Sequence, residues 1–83
     1  MAGYPRPRLS INPKLLRAIA NSRLPVWKLC VAAGIQHQAR YYELIAGGDV
    51  PDSSTNITRL ERLAEAVGFP VVDVLVKDED ARG

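Results

Sequence analysis

Leu24-Pro25-Val26-Trp27-Lys28-Leu29-Cys30-Val31-Ala32-Ala33-Gly34-Ile35, followed by Gln36-His37-Gln38-Ala39-Arg40-Tyr41-Tyr42-Glu43-Leu44-Ile45, is the stretch on which the fold turns. Pro25 suits the opening of a helix, where a missing N–H removes no helical hydrogen bond. That helix runs to about Ala33, and Gly34 ends it in the left-handed conformation glycine tolerates best. A second helix starts near His37 or Gln38, with Tyr41, Leu44 and Ile45 on its inward stripe and Gly47-Gly48 closing it. Two helices joined by a turn that begins with glycine cross at about 90–120°. Leu29, Cys30, Ala33 and Ile35 fill the angle between them, and the small Cys30 lets them close.

Working outward, Asn12-Pro13 marks an earlier helix start: asparagine caps the first free amides and proline fits the first helical position. Leu15, Leu16, Ile19 and Ala20 recur at helical spacing, and this helix is expected to end near Arg23. On the other side, Asp49–Ser54 reads as a loop. Ser54 or Thr55 caps a helix carrying Ile57, Leu60, Leu63, Ala64 and Val67 on one face, and Gly68 ends it. Pro70 begins Val71-Val72-Asp73-Val74-Leu75-Val76, read as a fifth helix, although its β-branched residues also suit a strand. The expectation is an all-α, compact five-helix domain at residues 9–76. An extended basic arm at 1–8 precedes it, and a polar acidic tail at 77–83 follows.

Charge is divided along the chain. Residues 1–42 hold seven basic residues and no acid, whereas residues 43–83 hold four basic and nine acidic ones, so the halves carry +7 and −5. A face built from the first half attracts a polyanion, while the second half keeps other faces soluble and off it. Several function classes drop out. The sole histidine, His37, and the sole cysteine, Cys30, lie seven positions apart across a turn, which argues against a nucleophilic pair. Metal-ligand spacing and a phosphate-cradling glycine loop are both missing, and Asp78-Glu79-Asp80 reads as a solvated tail. The expectation is no enzyme, no cofactor and no metal. No apolar run is long enough to span a membrane, the first residues lack a signal-peptide pattern, and one cysteine forms no internal disulfide, so a cytoplasmic protein is expected.

Here the residues resemble the lambda-repressor/Cro-type (Xre-like) helix-turn-helix proteins. The resemblance covers roughly residues 12–76. It rests on Leu29-Cys30, on Ala33-Gly34-Ile35, on the Gly47 stop, and on Leu60-Glu61-Arg62-Leu63-Ala64-Glu65-Ala66-Val67-Gly68-Phe69. It implies a five-helix DNA-binding domain that works as a dimer on paired half-sites. Three positions depart from the pattern. The Gly34–Gly47 interval is one residue longer, extending the turn at Gln36-His37. Val26 stands where many members carry a phosphate-holding glutamine, and Cys30 stands where alanine is commoner.

With Tyr41, Leu44 and Ile45 inward, a 100° step puts Gln36, Ala39, Arg40 and Glu43 outward and Tyr42 on the flank. The major groove admits one α-helix, and residues early in it penetrate deepest. Gln36, His37, Gln38 and Arg40 are therefore the candidates for base edges, Ala39 for a thymine methyl, and Tyr42 for a phosphate. Lys28 and Arg17 are candidates for phosphate contacts, joined by helix N-termini near Pro25 and Gln38. In the arm, Arg6 and Arg8 suit a narrow minor groove. Trp27 and Val31 lie four apart on the side of their helix away from Leu29 and Cys30. They imply a helix buried on two sides, either under the fourth or fifth helix or the arm, or in a subunit or partner contact. The leading expectation is a sequence-specific regulator of double-stranded DNA, with a homodimer as its form. The rivals are a protein-interaction module using Trp27, Val31 and the apolar fifth segment, and a DNA binder without sequence preference.

Overall fold

A computed structural model describes residues 8–76; the arm at 1–7, with Arg6, and the tail at 77–83 lie outside the described residues. The elements run β1 (Arg8–Ser10), α1 (Pro13–Asn21), α2 (Val26–Ala33), α3 (Gln38–Ala46), β2 (Asp49–Pro51) and α4 (Ser54–Val67), then a 3-10 turn at Val71–Asp73.

Local chemistry sets the helix ends. The Asn12 side chain accepts the Lys14 amide at 3.0 Å, with Pro13 in the first helical position of α1. This helix ends at Asn21, short of the expected Arg23. The Ser22 hydroxyl donates to the Ile19 carbonyl at 2.7 Å and accepts the Leu24 amide at 3.2 Å, and Arg23 turns to φ 61°. A serine that bonds its own backbone competes with the helix in this way. Gly34 closes α2 at φ 74°, and the Ile35 amide reaches back to the Cys30 carbonyl at 2.8 Å. Ile35 and Cys30 are both buried, which completes the apolar contact of a left-handed helix stop. Phe69 and Ala64 repeat the bond beyond Gly68. The cap of α4 is Ser53, one or two residues before the expected Ser54 or Thr55; its hydroxyl accepts the Asn56 amide at 3.1 Å.

Gly34 permits a clean test. A Cβ built there meets nothing within 4 Å, so only the backbone conformation resists a side chain. Gly34→Ala is expected to lower stability by about 1 kcal/mol, the left-handed strain less the entropy alanine removes from the unfolded chain. Urea titration measures it; a loss several times larger contradicts an open turn.

The five-helix, all-α expectation is corrected on two counts. Four helices form, together with a two-stranded antiparallel sheet in which Leu9 pairs with Val50 and Ser10 with Asp49. Val50 is fully buried and Leu9 half-buried, so this small sheet roofs the core with one side chain from each strand. The segment expected to be a fifth helix is a three-residue 3-10 turn, after which Leu75 bridges Ile11. The Asn12 amide donates to the Val74 carbonyl and the Val76 amide to the Ser10 carbonyl, each at 2.9 Å. Side chains branched at Cβ lose rotamer freedom in a helix and suit extended pairing, and here the edge of β1 supplies the partner.

The core gathers around α4. Leu60, Leu63 and Ala64 are fully buried, and α4 packs most extensively on α2, then on α1 and the 3-10 turn. Leu15 and Ile19 come from α1, Leu29, Cys30 and Ala33 from α2, and Tyr41 and Leu44 from α3. The inward stripes read from periodicity are therefore largely the observed ones, with Ala20 exposed and Leu16, Ile45, Ile57 and Val67 half-buried.

Candidate nucleic-acid interface

The residues chosen as base readers stand together. Gln36 and His37 complete the turn after buried Ile35, and Gln38, Ala39 and Arg40 form the first turn of α3; all five are exposed. Tyr41 and Leu44 hold the opposite face in the core, so the helix is anchored behind its exposed head. His37 is the N-cap but makes no side-chain capping bond, and Pro25 makes none at α2. The first amides of both helices are thus left to water or to an anion. Tyr42 is half exposed and meets Tyr41 edge to face at 5.4 Å. Burial pushes the Tyr41 phenol pKa above its ordinary value, with Cys30 and Tyr42 adding to the effect.

Arg40 does not face a carboxylate wall. Its nearest acid is Glu43, one turn along the same exposed face at 3.4 Å. A pair this exposed is weak and leaves the guanidinium able to exchange partners. Lys28 is exposed on α2, its ammonium 5.6 Å from the Trp27 ring centre, and Arg17 is exposed on the face of α1 opposite Leu15 and Ile19.

Arg8 departs from the arm reading. It is the first residue of β1, and its Nε and Nη2 both donate to Asp49 Oδ1, at 3.0 and 2.7 Å. Strand register brings this pair together across 41 positions, so the guanidinium braces the sheet. Trp27 and Val31 depart further: they are 58% and 72% exposed. The expectation that the fourth or fifth helix covers them is not met among the described residues, because α4 occupies the opposite side of α2 with Leu29, Cys30 and Ala33.

One cation escaped the sequence reading. Arg59, half-buried on α4, lines two open clefts. Arg8, Arg40, Asp49, Asn56 and Glu43 share one, of about 330 Å³; Gly34, Ser54, Thr55 and Thr58 share the other, of about 290 Å³. Glu43 and Asp49 already have Arg40 and Arg8 as partners, and Arg59 makes no ion pair among the described residues. The signal lay in Ser54-Thr55-Asn56-Ile57-Thr58-Arg59, an acid-free run rich in hydroxyl and amide side chains within the net-acidic half. Asn56 also donates to the Pro51 carbonyl at 2.9 Å, tying β2 to the start of α4.

Among the described residues no group of three or more His, Cys, Asp or Glu side chains is placed to hold a metal ion, and no helix is long and apolar enough to cross a membrane. Comparisons with family models, curated proteins and solved structures return no match for this chain.

Proposed function

We propose that this chain is a sequence-reading regulator that binds double-stranded DNA, of the repressor, antitoxin or phage-regulator kind, and lays α3 in the major groove. The observation that carries the reading is the unbroken exposure of residues 36–40 at the head of a helix whose opposite face is core. The resemblance of the α2–α3 pair and α4 to lambda-repressor/Cro-type proteins supports it, as does the basic first half. Gln38 suits adenine and Arg40 guanine, each through two hydrogen bonds, while Gln36 and His37 reach the neighbouring positions and Ala39 meets a thymine methyl. Lys28, Arg17 and Tyr42 hold phosphates and set the register. A cytoplasmic protein, working as a homodimer with one half-site per subunit, belongs to the same proposal.

Arg59, which lines the same cleft as Arg40, adds a phosphate contact to this proposal. In Arg59→Ala the plot of log affinity against log salt is expected to flatten by about 0.9, one phosphate's worth, with base preference unchanged. An unchanged slope removes Arg59 from the interface.

Retention on immobilised duplex at low salt tests the proposal, with random duplex as competitor to separate specific from general binding. Failure to bind any duplex at low salt overturns it. A second reading rests on the exposed Trp27 and Val31: a protein-interaction module in which α2 meets a partner or a second copy. Sedimentation of Trp27→Ala addresses it, since an assembly that persists in the variant does not use this face.

A further inference from the structure

A third cavity lies behind α3, away from both clefts beside Arg59. It is an open groove of about 410 Å³, the largest of the three. Tyr41, Ile19 and Leu29 are its buried floor, and Leu16 and Ala20 of α1 face Tyr42, Ile45 and Ala46 of α3 across it. No charged side chain lines it. The Tyr41 residue is only 3% exposed, yet its hydroxyl has no hydrogen-bond partner among the described residues. The hydroxyl is also not sealed in, because no unpartnered side-chain atom is fully buried. The hydroxyl thus reaches solvent on a residue that lines an apolar groove, a donor free to exchange its water for a ligand's acceptor.

We infer that this groove binds a small uncharged aromatic molecule that carries one hydrogen-bond acceptor, its ring between α1 and α3 and its acceptor on the Tyr41 hydroxyl. The size lies within the roughly 300–1,000 Å³ of ligand pockets, and an apolar lining with one placed polar group is their usual make-up. A charged ligand finds no counter-charge here. A second copy of the chain is the poorer occupant. A stable interface takes about 800 Å² from each partner, and of the large exposed apolar residues Trp27, Val31, Tyr42 and Val72 only Tyr42 lines the groove. The site stands independently of DNA reading, and its test uses no nucleic acid.

Quinoline, neutral at pH 7 and bearing one ring-nitrogen acceptor, is the probe. Titrated into the isotope-labelled full chain, it is expected to give saturable amide shifts at Leu16, Ala20, Tyr42 and Ile45. Ala20→Phe fills the slot from the exposed wall and is expected to weaken binding at least about ten-fold. Ala46→Phe, from the opposite wall, does the same should the first variant fold poorly. Tyr41→Phe keeps the packing and removes the donor, with an expected loss of about three- to ten-fold. Shifts that do not saturate, or that persist undiminished in both filled variants, overturn the site. Equal affinity in Tyr41→Phe overturns the role of the hydroxyl, and a dimer whose contact buries Ala20 and Ala46 overturns the choice of occupant.

Discussion

Leu60→Ala is expected to remove about 2–5 kcal/mol from the free energy of unfolding, the range for a leucine truncated inside a packed core. Leu60 is fully buried in α4, the helix that touches α1, α2 and the 3-10 turn, so the cavity opens where four elements meet and has no single neighbour to collapse into it. The domain has little stability to lose. A chain of this size buries only about 60–65% of its unfolded surface, and small domains hold roughly 5–15 kcal/mol in all. At about 4–8 °C per kcal/mol, the melting temperature falls by about 8 °C or more. In urea the midpoint moves while the slope stays, because the surface exposed on unfolding is unchanged. Arg62→Ala, exposed on the same helix, is the control and is expected to change stability by less than about 0.5 kcal/mol. A loss below 1 kcal/mol for Leu60→Ala contradicts the packing around α4.

If α3 reads DNA as proposed, Gln38→Ala and Arg40→Ala are each expected to lower affinity for a selected duplex by about 1–3 kcal/mol, between five- and 150-fold. Their loss on random duplex is smaller, since only Arg40 carries charge and general binding depends on charge rather than on base edges. The difference between the two duplexes is the informative quantity, for it separates base reading from phosphate holding. Neither variant is expected to disturb the fold. Both side chains are exposed, and the one contact removed, Arg40 to Glu43 at 3.4 Å, is an exposed pair of the kind that contributes little. Equal losses on both duplexes place Arg40 on a phosphate and withdraw the base assignment for that residue.

The helices were legible because their ends are written in residue chemistry. Asn12-Pro13, Gly34 and Gly68 each stand where a helix must start or stop, and periodicity supplied the buried stripes between them. The sheet was not legible for a physical reason. Each strand is three residues long with a single inward apolar side chain, Leu9 or Val50, and alternation does not show over so short a span. Val71–Val76 carried a real conflict between helix and strand chemistry, and the free edge of β1, sixty positions away, resolved it. A separation of 41 positions likewise hid the Arg8–Asp49 pair. Cover of Trp27 and Val31 by the fourth or fifth helix was expected because a helix apolar on most sides is normally covered on two, and among residues 8–76 no element lies on that side of α2.

At the candidate site, the exposure of Gln36, Ala39, Arg40 and Glu43 followed from a 100° step once periodicity had put Tyr41 and Leu44 inward. Arg59 did not, because only the apolar stripe of α4 was read and its acid-free first turns were averaged into an acidic half. Position along a chain says little about which cleft a side chain enters once the helices pack.

Mapping amide shifts of the full chain against a duplex at low salt tests the central claim most directly. With the head of α3 in the groove, the largest shifts fall on residues 36–42, with smaller ones at Lys28 and Arg59, and they recede as salt is raised. Shifts confined to Trp27, Val31 and the segment after Pro70, or none at all, contradict DNA reading by this helix.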